Sequence, residues 1–284
     1  MKQILVISGK GGTGKTFFTG CLSVILKNKV IVDSDVDAAN LHLLLHPEVK
    51  ESHPFTGGKF AEIDITKCSH CNLCREICKF NAIDENFNID RTSCEGCTIC
   101  SYVCPQNAVI LKERISGQYF ISETKYGPLI HAKLGIAEEN SGKLVTKLRE
   151  IAKEVAKEKG LEHIIIDGPP GIGCPVMASM TAVDVIVAIT EPTLSGVHDL
   201  SRVIDLAGYF QIPLKVVINK YDLNPEITLK IEKKLKELQI ELIGKIPFSE
   251  DILSSVKKGI PFLEYSNSKE LKEEIEKIAD KILS

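Results

Sequence analysis

No stretch of the 284 residues approaches the roughly 18 consecutive apolar positions that a membrane span requires. Neither sign of charge is in excess. The 35 Lys and Arg against 38 Asp and Glu leave a net charge of −3, without the basic surplus of a general nucleic-acid binder. The amino terminus, Met1 to Ser8, lacks the small-residue cleavage site of a secretory signal and reads as a first strand. The expectation is a cytoplasmic protein with no membrane span and no nucleic-acid partner. Tryptophan is absent and methionine occurs three times, whereas cysteine occurs ten times. In a cytosolic chain so many cysteines point to metal rather than to disulfides.

Hydrophobic residues at 44% and charged residues at 26% exclude a disordered chain, and the length fits one large domain or two modest ones. Short apolar runs at Ile4 to Ile7, Val30 to Val32, Ile164 to Ile166, Val185 to Ile189 and Leu214 to Ile218 are continuous rather than alternating. Strands buried on both faces of a parallel sheet have that pattern. Helix-like stretches such as Leu144 to Lys159, Val197 to Gly208 and Ile227 to Leu238 lie between them. The alternation predicts an α/β, doubly wound, mostly parallel sheet. Gly117 to Leu134 is strand-like and returns the chain to that sheet. Near the end, Leu271, Ile275, Ile278 and Ile282 share one helical face. The lysines flanking this stripe are offset by acids, which predicts a helix packed on the domain rather than on a membrane.

The segment from about Glu62 to Leu111 breaks the rhythm and holds eight of the ten cysteines. It also repeats itself. Ile63-Asp64-Ile65-Thr66-Lys67-Cys68 is echoed 26 residues later by Ile89-Asp90-Arg91-Thr92-Ser93-Cys94, and Asn81-Ala82-Ile83 by Asn107-Ala108-Val109. The predicted organisation is an α/β domain over 1–59 and 113–284, interrupted by an inserted two-fold repeat over 60–112.

After the first strand comes Ser8-Gly9-Lys10-Gly11-Gly12-Thr13-Gly14-Lys15-Thr16, opening a helix. A strand, a glycine-rich turn with Lys-Thr and a helix form the context of a phosphate-binding loop. Gly11, Gly12, Thr13, Gly14, Lys15, Thr16 and Phe17 would present backbone N–H groups and the helix amino terminus to phosphates. Lys15 would supply a point charge and Thr16 a hydroxyl to Mg²⁺. Two acidic segments follow strand candidates: Val32-Asp33-Ser34-Asp35-Val36-Asp37 and Ile164-Ile165-Ile166-Asp167-Gly168-Pro169-Pro170-Gly171. Asp167 ends a buried strand, where a carboxylate would hold Mg²⁺ through water.

The motif Lys-Gly-Gly-Thr-Gly-Lys-Thr resembles the deviant Walker A loop of the MinD/ParA superfamily, which includes the nitrogenase iron protein. The resemblance covers most of the chain outside the insert. It implies a P-loop ATPase using ATP and Mg²⁺, and a homodimer in which Lys10 reaches the nucleotide of the partner subunit. It makes Asp35 a switch residue on the attacking water or the Mg²⁺ shell and Asp167 the Walker B carboxylate. Asn219-Lys220-Tyr221-Asp222 taken alone is the guanine-reading signature of GTPases. The resemblance instead implies an adenine contact from Asn219, with the turn at Ile246-Pro247-Phe248 close to the base through Pro247.

Within the insert, Cys68-x2-Cys71-x2-Cys74-x3-Cys78 is followed by Cys94-x2-Cys97-x2-Cys100-x3-Cys104-Pro105. The spacing resembles the bacterial two-cluster ferredoxin run, whose fourth cysteine ligates the other cluster. That implies one [4Fe–4S] cluster on Cys68, Cys71, Cys74 and Cys104, and a second on Cys94, Cys97, Cys100 and Cys78. Zinc would show Cys-x2-Cys pairs across a longer gap. Lys79 departs from the pattern by standing where the second run has Pro105. Cys21 reads as a buried thiol. Cys174, seven residues after Asp167, reads as a helix-start cysteine or a thiol of the second switch. The polar segment Gly135 to Lys143 resembles a stretch of ferredoxin-bearing members of the superfamily and reads as a dimer face or a helix-capping loop.

Three functions follow as expectations. The first is an ATPase that couples dimer switching to electron transfer through two [4Fe–4S] clusters, with a redox partner protein. The second is an iron–sulfur assembly scaffold or carrier, disfavoured because no Cys-x2-Cys pair follows Cys174. The third is a MinD/ParA-like positioning ATPase.

Overall fold

The structure is a computed structural model and describes residues 1–135 and 141–284. In chain order its elements are β1 (Lys2–Ser8), α1 (Lys15–Ile25), β2 (Lys29–Asp33), α2 (Leu41–Leu45), β3 (Glu48–Ile63), α3 (Leu73–Ile77), α4 (Ile99–Val103), β4 (Val109–Thr124) and β5 (Gly127–Leu134). These are followed by α5 (Ser141–Glu158), β6 (His163–Pro170), α6 (Cys174–Met180), β7 (Val185–Thr190), α7 (Leu194–Tyr209), β8 (Leu214–Asn219), α8 (Pro225–Glu237), β9 (Glu241–Ile246), α9 (Glu250–Lys257), α10 (Phe262–Tyr265) and α11 (Lys269–Leu283). The chain divides into two compact units. The larger comprises Met1–His53, Tyr119–Lys133 and Ser141–Ser284, and the smaller Pro54–Gln118 and Leu134–Asn140. The inserted repeat expected over 60–112 falls inside the smaller unit, which extends it by residues 54–59 of β3 and 113–118 of β4.

In the larger unit the strands run β5-β2-β6-β1-β7-β8-β9. Each neighbouring pair in that run is parallel. The five continuous apolar runs are strands, and Ile4, Leu5, Val6 and Ile7 are wholly buried at the centre of the sheet. Burial of each such side chain contributes about 1.5–3 kcal/mol. The apolar stripe of α11 packs as its spacing requires, since Leu271, Ile275, Ile278 and Ile282 join one core with Phe17, Phe18, Ile243 and Ile246. In register, Val32 lies beside Ile166, Asp33 beside Asp167, and Val6 beside Asp167. Two acids therefore stand together where three parallel strands end, which is where ligands bind in open α/β sheets.

The smaller unit repeats in its backbone as it does in its sequence. Helices α3 and α4 are offset by 26 residues, and so are the left-handed positions His70 and Gly96, Asn72 and Thr98, and Asn81 and Asn107. The two halves close on each other. Asp64 N–H donates to the Ala108 carbonyl at 2.8 Å, and Asp90 N–H to the Ala82 carbonyl at 2.8 Å. The apolar core here is slight, built on Phe60, Ala61, Ala82, Ile83 and Phe87 with cysteines among them. Units with so slight a core are commonly stabilised by cross-links or metal.

Gly96 is held at φ +62°, and a Cβ there would meet the Lys59 carbonyl oxygen at 2.1 Å. Gly96→Ala is expected to destabilise the smaller unit by at least about 1–3 kcal/mol, the usual cost of such backbone strain. The measure is limited proteolysis of the full chain. Cleavage between residues 54 and 118 should accelerate, and unchanged cleavage would show that the loop absorbs the methyl group.

Candidate functional site

The first site gathers around α1. Its N-cap, Gly14, is left-handed at φ 98°. A side chain there would strike the Asn219 amide nitrogen at 2.3 Å. Gly11 and Gly12 face open space, with nothing within 4 Å of a Cβ added to either. Thr13 is buried, and its Oγ1 has no hydrogen-bond partner. A buried hydroxyl without a partner in a loop of glycines suits an anionic oxygen, because leaving it unpaired is costly.

Lys15 is 6% exposed. Its Nζ lies 3.2 Å from Asp167 Oδ1 and 3.4 Å from Asp35 Oδ2. Burial alone would lower its pKa, but the charges of Asp167 and Asp35 outweigh it and hold the ammonium above its ordinary range. Thr16 Oγ1 donates to Asp167 Oδ2 at 2.9 Å, and Thr19 Oγ1 to Asp167 Oδ1 at 2.9 Å. Asp33 is wholly buried and accepts the Leu41 N–H at 3.0 Å. Burial first, then the neighbouring Asp167, pushes its pKa well up. Burial also raises Asp35, against the pull of Lys15. Lys15, Thr16, Asp35 and Asp167, expected together from sequence, are together.

Three expected site residues stand differently. Lys10 bonds within its own chain, to Glu191 at 2.8 Å, Thr193 at 3.1 Å and Ser195 at 2.9 Å. Glu191 also binds Lys220 at 2.9 Å, and Lys220 donates to the Gly12 carbonyl at 3.2 Å. Burial would raise the Glu191 pKa, but hydrogen bonds from the two lysines prevail and lower it. Phe17 turns its ring into the core, edge-on to Phe262 at 5.7 Å, which leaves only its backbone for a ligand. Pro247 lines a cavity of about 680 Å³ with Tyr221, Phe248 and residues of α11, to which no glycine of the first loop contributes.

Asn219 lies close to the loop, its amide donating to the Thr13 carbonyl at 2.8 Å. Asp222 Oδ1 accepts the Phe248 N–H at 2.7 Å. Sequence reasoning missed Thr19, Ser34 and Glu191. Thr19 was within reach, because it follows Lys15 by four residues and so shares its helical face. Ser34, whose hydroxyl donates to the Asp167 carbonyl at 2.8 Å, and Glu191 carry no local signal.

The second site is in the smaller unit, where all eight cysteines are unbridged. They line two cavities. One, of about 10 Å³, is lined by Cys68, Cys71, Cys74 and Cys104 with Ile63, Phe87 and Ala108. The other, of about 200 Å³, is lined by Cys78, Cys94, Cys97 and Cys100 with Ile77, Phe80 and Ile99. The fourth cysteine of each run thus sits with the first three of the other. Two backbone groups turn toward sulfur: His70 N–H to Cys68 Sγ at 3.4 Å, and Ala108 N–H to Cys104 Sγ at 3.3 Å. Among the described residues no three His, Cys, Asp or Glu side chains converge closely enough for a single metal ion. A four-iron cluster spaces its thiolates more widely than one ion does. Four cysteines around an apolar cavity, with N–H donors on sulfur, fit such a cluster.

Cys21 is buried, and burial pushes its thiol up strongly. Cys174 begins α6 and is exposed. Residues 136–140 of the polar segment Gly135 to Lys143 lie outside the described residues. No helix among those described is long and apolar enough to cross a membrane.

A parallel α/β sheet with a glycine-rich loop, Lys-Thr and two acids at adjoining strand ends defines a P-loop nucleotide-binding fold. The model of the CobQ/CobB/MinD/ParA nucleotide binding domain matches residues 4–262, and the chain belongs to that family. An uncharacterized protein of Methanocaldococcus jannaschii is 36% identical over 284 residues, which is 99% of this chain and 96% of that protein. An uncharacterized ATP-binding protein of the same organism is 31% identical over 99% of each chain. The septum site-determining protein MinD of Pyrococcus horikoshii, solved with Mg-ADP, matches 99% of this chain and 95% of its own with a TM-score of 0.59. At 19% identity that likeness is one of fold.

Proposed function

We propose that the protein is an ATP-hydrolysing iron–sulfur protein that couples nucleotide-driven dimer switching to electron transfer through two [4Fe–4S] clusters. The observation that carries this reading is the crosswise sorting of eight cysteines into two sets of four. A disulfide framework or a zinc site has no need of it, whereas two cubane clusters in a pseudo-two-fold unit require it.

Cys68, Cys71, Cys74 and Cys104 would hold one cluster, and Cys78, Cys94, Cys97 and Cys100 the other. Each cluster when bound supplies a one-electron carrier. The nucleotide side rests on family membership and on the charged group around Lys15. Lys15 would exchange its bonds to Asp35 and Asp167 for the terminal phosphates. Thr16 and Asp167 would hold Mg²⁺, whose charge offsets that of the phosphates, and Asp35 would orient the attacking water. Lys10 would leave Glu191 for the nucleotide of a partner subunit. ATP is favoured over GTP because Asp222, the residue that would read guanine, already accepts a backbone N–H of its own chain.

The test is anaerobic reconstitution followed by an EPR redox titration, alone and with MgATP or MgADP. Two clusters whose spectra or midpoints change with nucleotide are expected. Protein that takes up zinc but no iron and sulfide would overturn the cluster reading. Clusters indifferent to every nucleotide would overturn the coupling. An excess of GTP should fail to displace a bound fluorescent ATP analogue, and ready displacement would reverse the base assignment. A second reading, a MinD/ParA-like positioning ATPase, is supported by the likeness in fold to MinD. ATP-dependent co-sedimentation with liposomes or DNA would favour it.

A further inference from the structure

The two carboxylate oxygens of Asp167 keep different company. Oδ2 accepts the Thr16 hydroxyl at 2.9 Å. Oδ1 accepts the Thr19 hydroxyl at 2.9 Å and the Lys15 ammonium at 3.2 Å. Lys15 and Thr16 open the helix at the end of the glycine loop, and on the reading above both turn to the nucleotide. Thr19 cannot follow them. It lies four residues after Lys15, one turn farther along α1, and is wholly buried. Its hydroxyl also lies 3.1 Å from the Lys15 carbonyl, but it has one proton to give, and the nearer, charged acceptor is the carboxylate. The main chain of Asp167 is held separately, because its carbonyl accepts the Ser34 hydroxyl at 2.8 Å and the Ser34 N–H at 2.9 Å. Asp33, beside Asp167 in register, bonds instead to the Leu41 and Asp35 N–H groups, at 3.0 and 3.3 Å.

We propose that Thr19 is a positioning residue for the metal: by holding Asp167 Oδ1 after Lys15 and Thr16 have left, it keeps Oδ2 turned to the Mg²⁺ that accompanies the nucleotide. The proposal rests on the nucleotide reading above and is independent of the cysteine sets. A carboxylate turns about its last bond, and with one oxygen held it has one orientation to offer. Partners that hold a metal-binding carboxylate in this way tune metal affinity without touching the metal. Removal of the Thr19 hydroxyl leaves a buried carboxylate oxygen without that donor, and Lys15 is then the remaining donor on Oδ1. Asp167 would turn back to Lys15 and away from the metal. The loss falls on the metal rather than on the phosphates, because the single Thr19 donor is spent on Asp167.

The test compares the full chain as wild type, Thr19→Val, Thr19→Ala and Thr19→Ser. Two affinities are measured for each. One is that of a fluorescent ADP analogue in EDTA. The other is that of Mn²⁺, used in place of Mg²⁺, in the presence of ADP, read from the room-temperature EPR signal of the free ion. Neither depends on hydrolysis. Thr19→Val and Thr19→Ala should bind Mn²⁺ about 10-fold or more weakly, the usual cost of losing such a partner, with ADP binding in EDTA unchanged. Thr19→Ser keeps the hydroxyl and should restore most of the metal affinity. Thermal unfolding identifies any variant that does not fold, and the comparison of Thr19→Ala with Thr19→Ser stands without Thr19→Val. Unchanged Mn²⁺ affinity in the variants without the hydroxyl would overturn the inference. So would Thr19→Ser binding Mn²⁺ as weakly as they do, which would mark packing alone, or an equal loss of ADP binding in EDTA, which would mark damage to the loop. Wild-type protein that takes up no Mn²⁺ with ADP would instead overturn the nucleotide reading beneath it.

Discussion

Lys10→Ala is expected to reduce nucleotide hydrolysis by about 10³-fold or more, as removal of a cation supplied in trans does in other phosphoryl transfers. Iron and sulfide content should stay at the wild-type level. The expectation has a structural edge, because Lys10 is not free. It is tied to Glu191, Thr193 and Ser195 of its own chain. If its work is done on a second subunit, those bonds must break as the dimer forms, and breaking them opposes assembly. Glu191→Gln should then let the dimer form at lower ATP concentration, seen as sedimentation of a faster species. A mixture of Lys10→Ala subunits with subunits inactivated at Lys15 separates the possibilities. Action in trans leaves mixed dimers with one competent nucleotide, whereas action in cis leaves none. Full hydrolysis by Lys10→Ala alone would remove the trans mechanism altogether.

The strands of the larger unit were legible because each is an apolar run long enough to fill a buried strand, and burial on both faces is a local property of composition. The phosphate loop was legible because glycines at fixed offsets have few other uses. The crossed cysteine sets came from spacing, and the structure gathers the same sets around two cavities. β3 was not legible. Glu48–Ile63 carries Pro54, two adjacent glycines and several charges, and much of its length is exposed. Its ladder partner is β4, about 60 residues along the chain. A pairing made across such a distance leaves little trace in a local pattern. The anchoring of Lys10 was hidden for the same reason, since Glu191 reaches it only because β1 and β7 are neighbours in the sheet. Phe17 shows the opposite limit. Its place next to Thr16 suggested a ligand contact, while its hydrophobicity sent the ring to the core.

Cys104→Ser is expected to remove the same cluster as Cys68→Ser, although 36 residues separate the two positions and Cys104 closes the other run. Cys78→Ser should likewise share its phenotype with Cys94→Ser. Were each run to hold its own cluster, the groupings would be exchanged, so EPR of the four single variants decides between the two arrangements without assuming either. The crossing also predicts a mechanical consequence. On the proposed reading each half of the repeat would supply three ligands to one cluster and one to the other, and each half also donates a backbone bond to its mate, Asp64 to Ala108 and Asp90 to Ala82. Loss of one cluster therefore loosens both halves. With so slight an apolar core, cluster binding as proposed would supply much of the folding free energy of this unit. A strong iron chelator, or either Cys104→Ser or Cys78→Ser, should expose the whole of residues 54–118 to protease rather than one half, while the larger unit stays intact. Cleavage confined to the half whose run was altered would mean that the two clusters are held independently, and the coupling of the carriers through a shared frame would fall with that result.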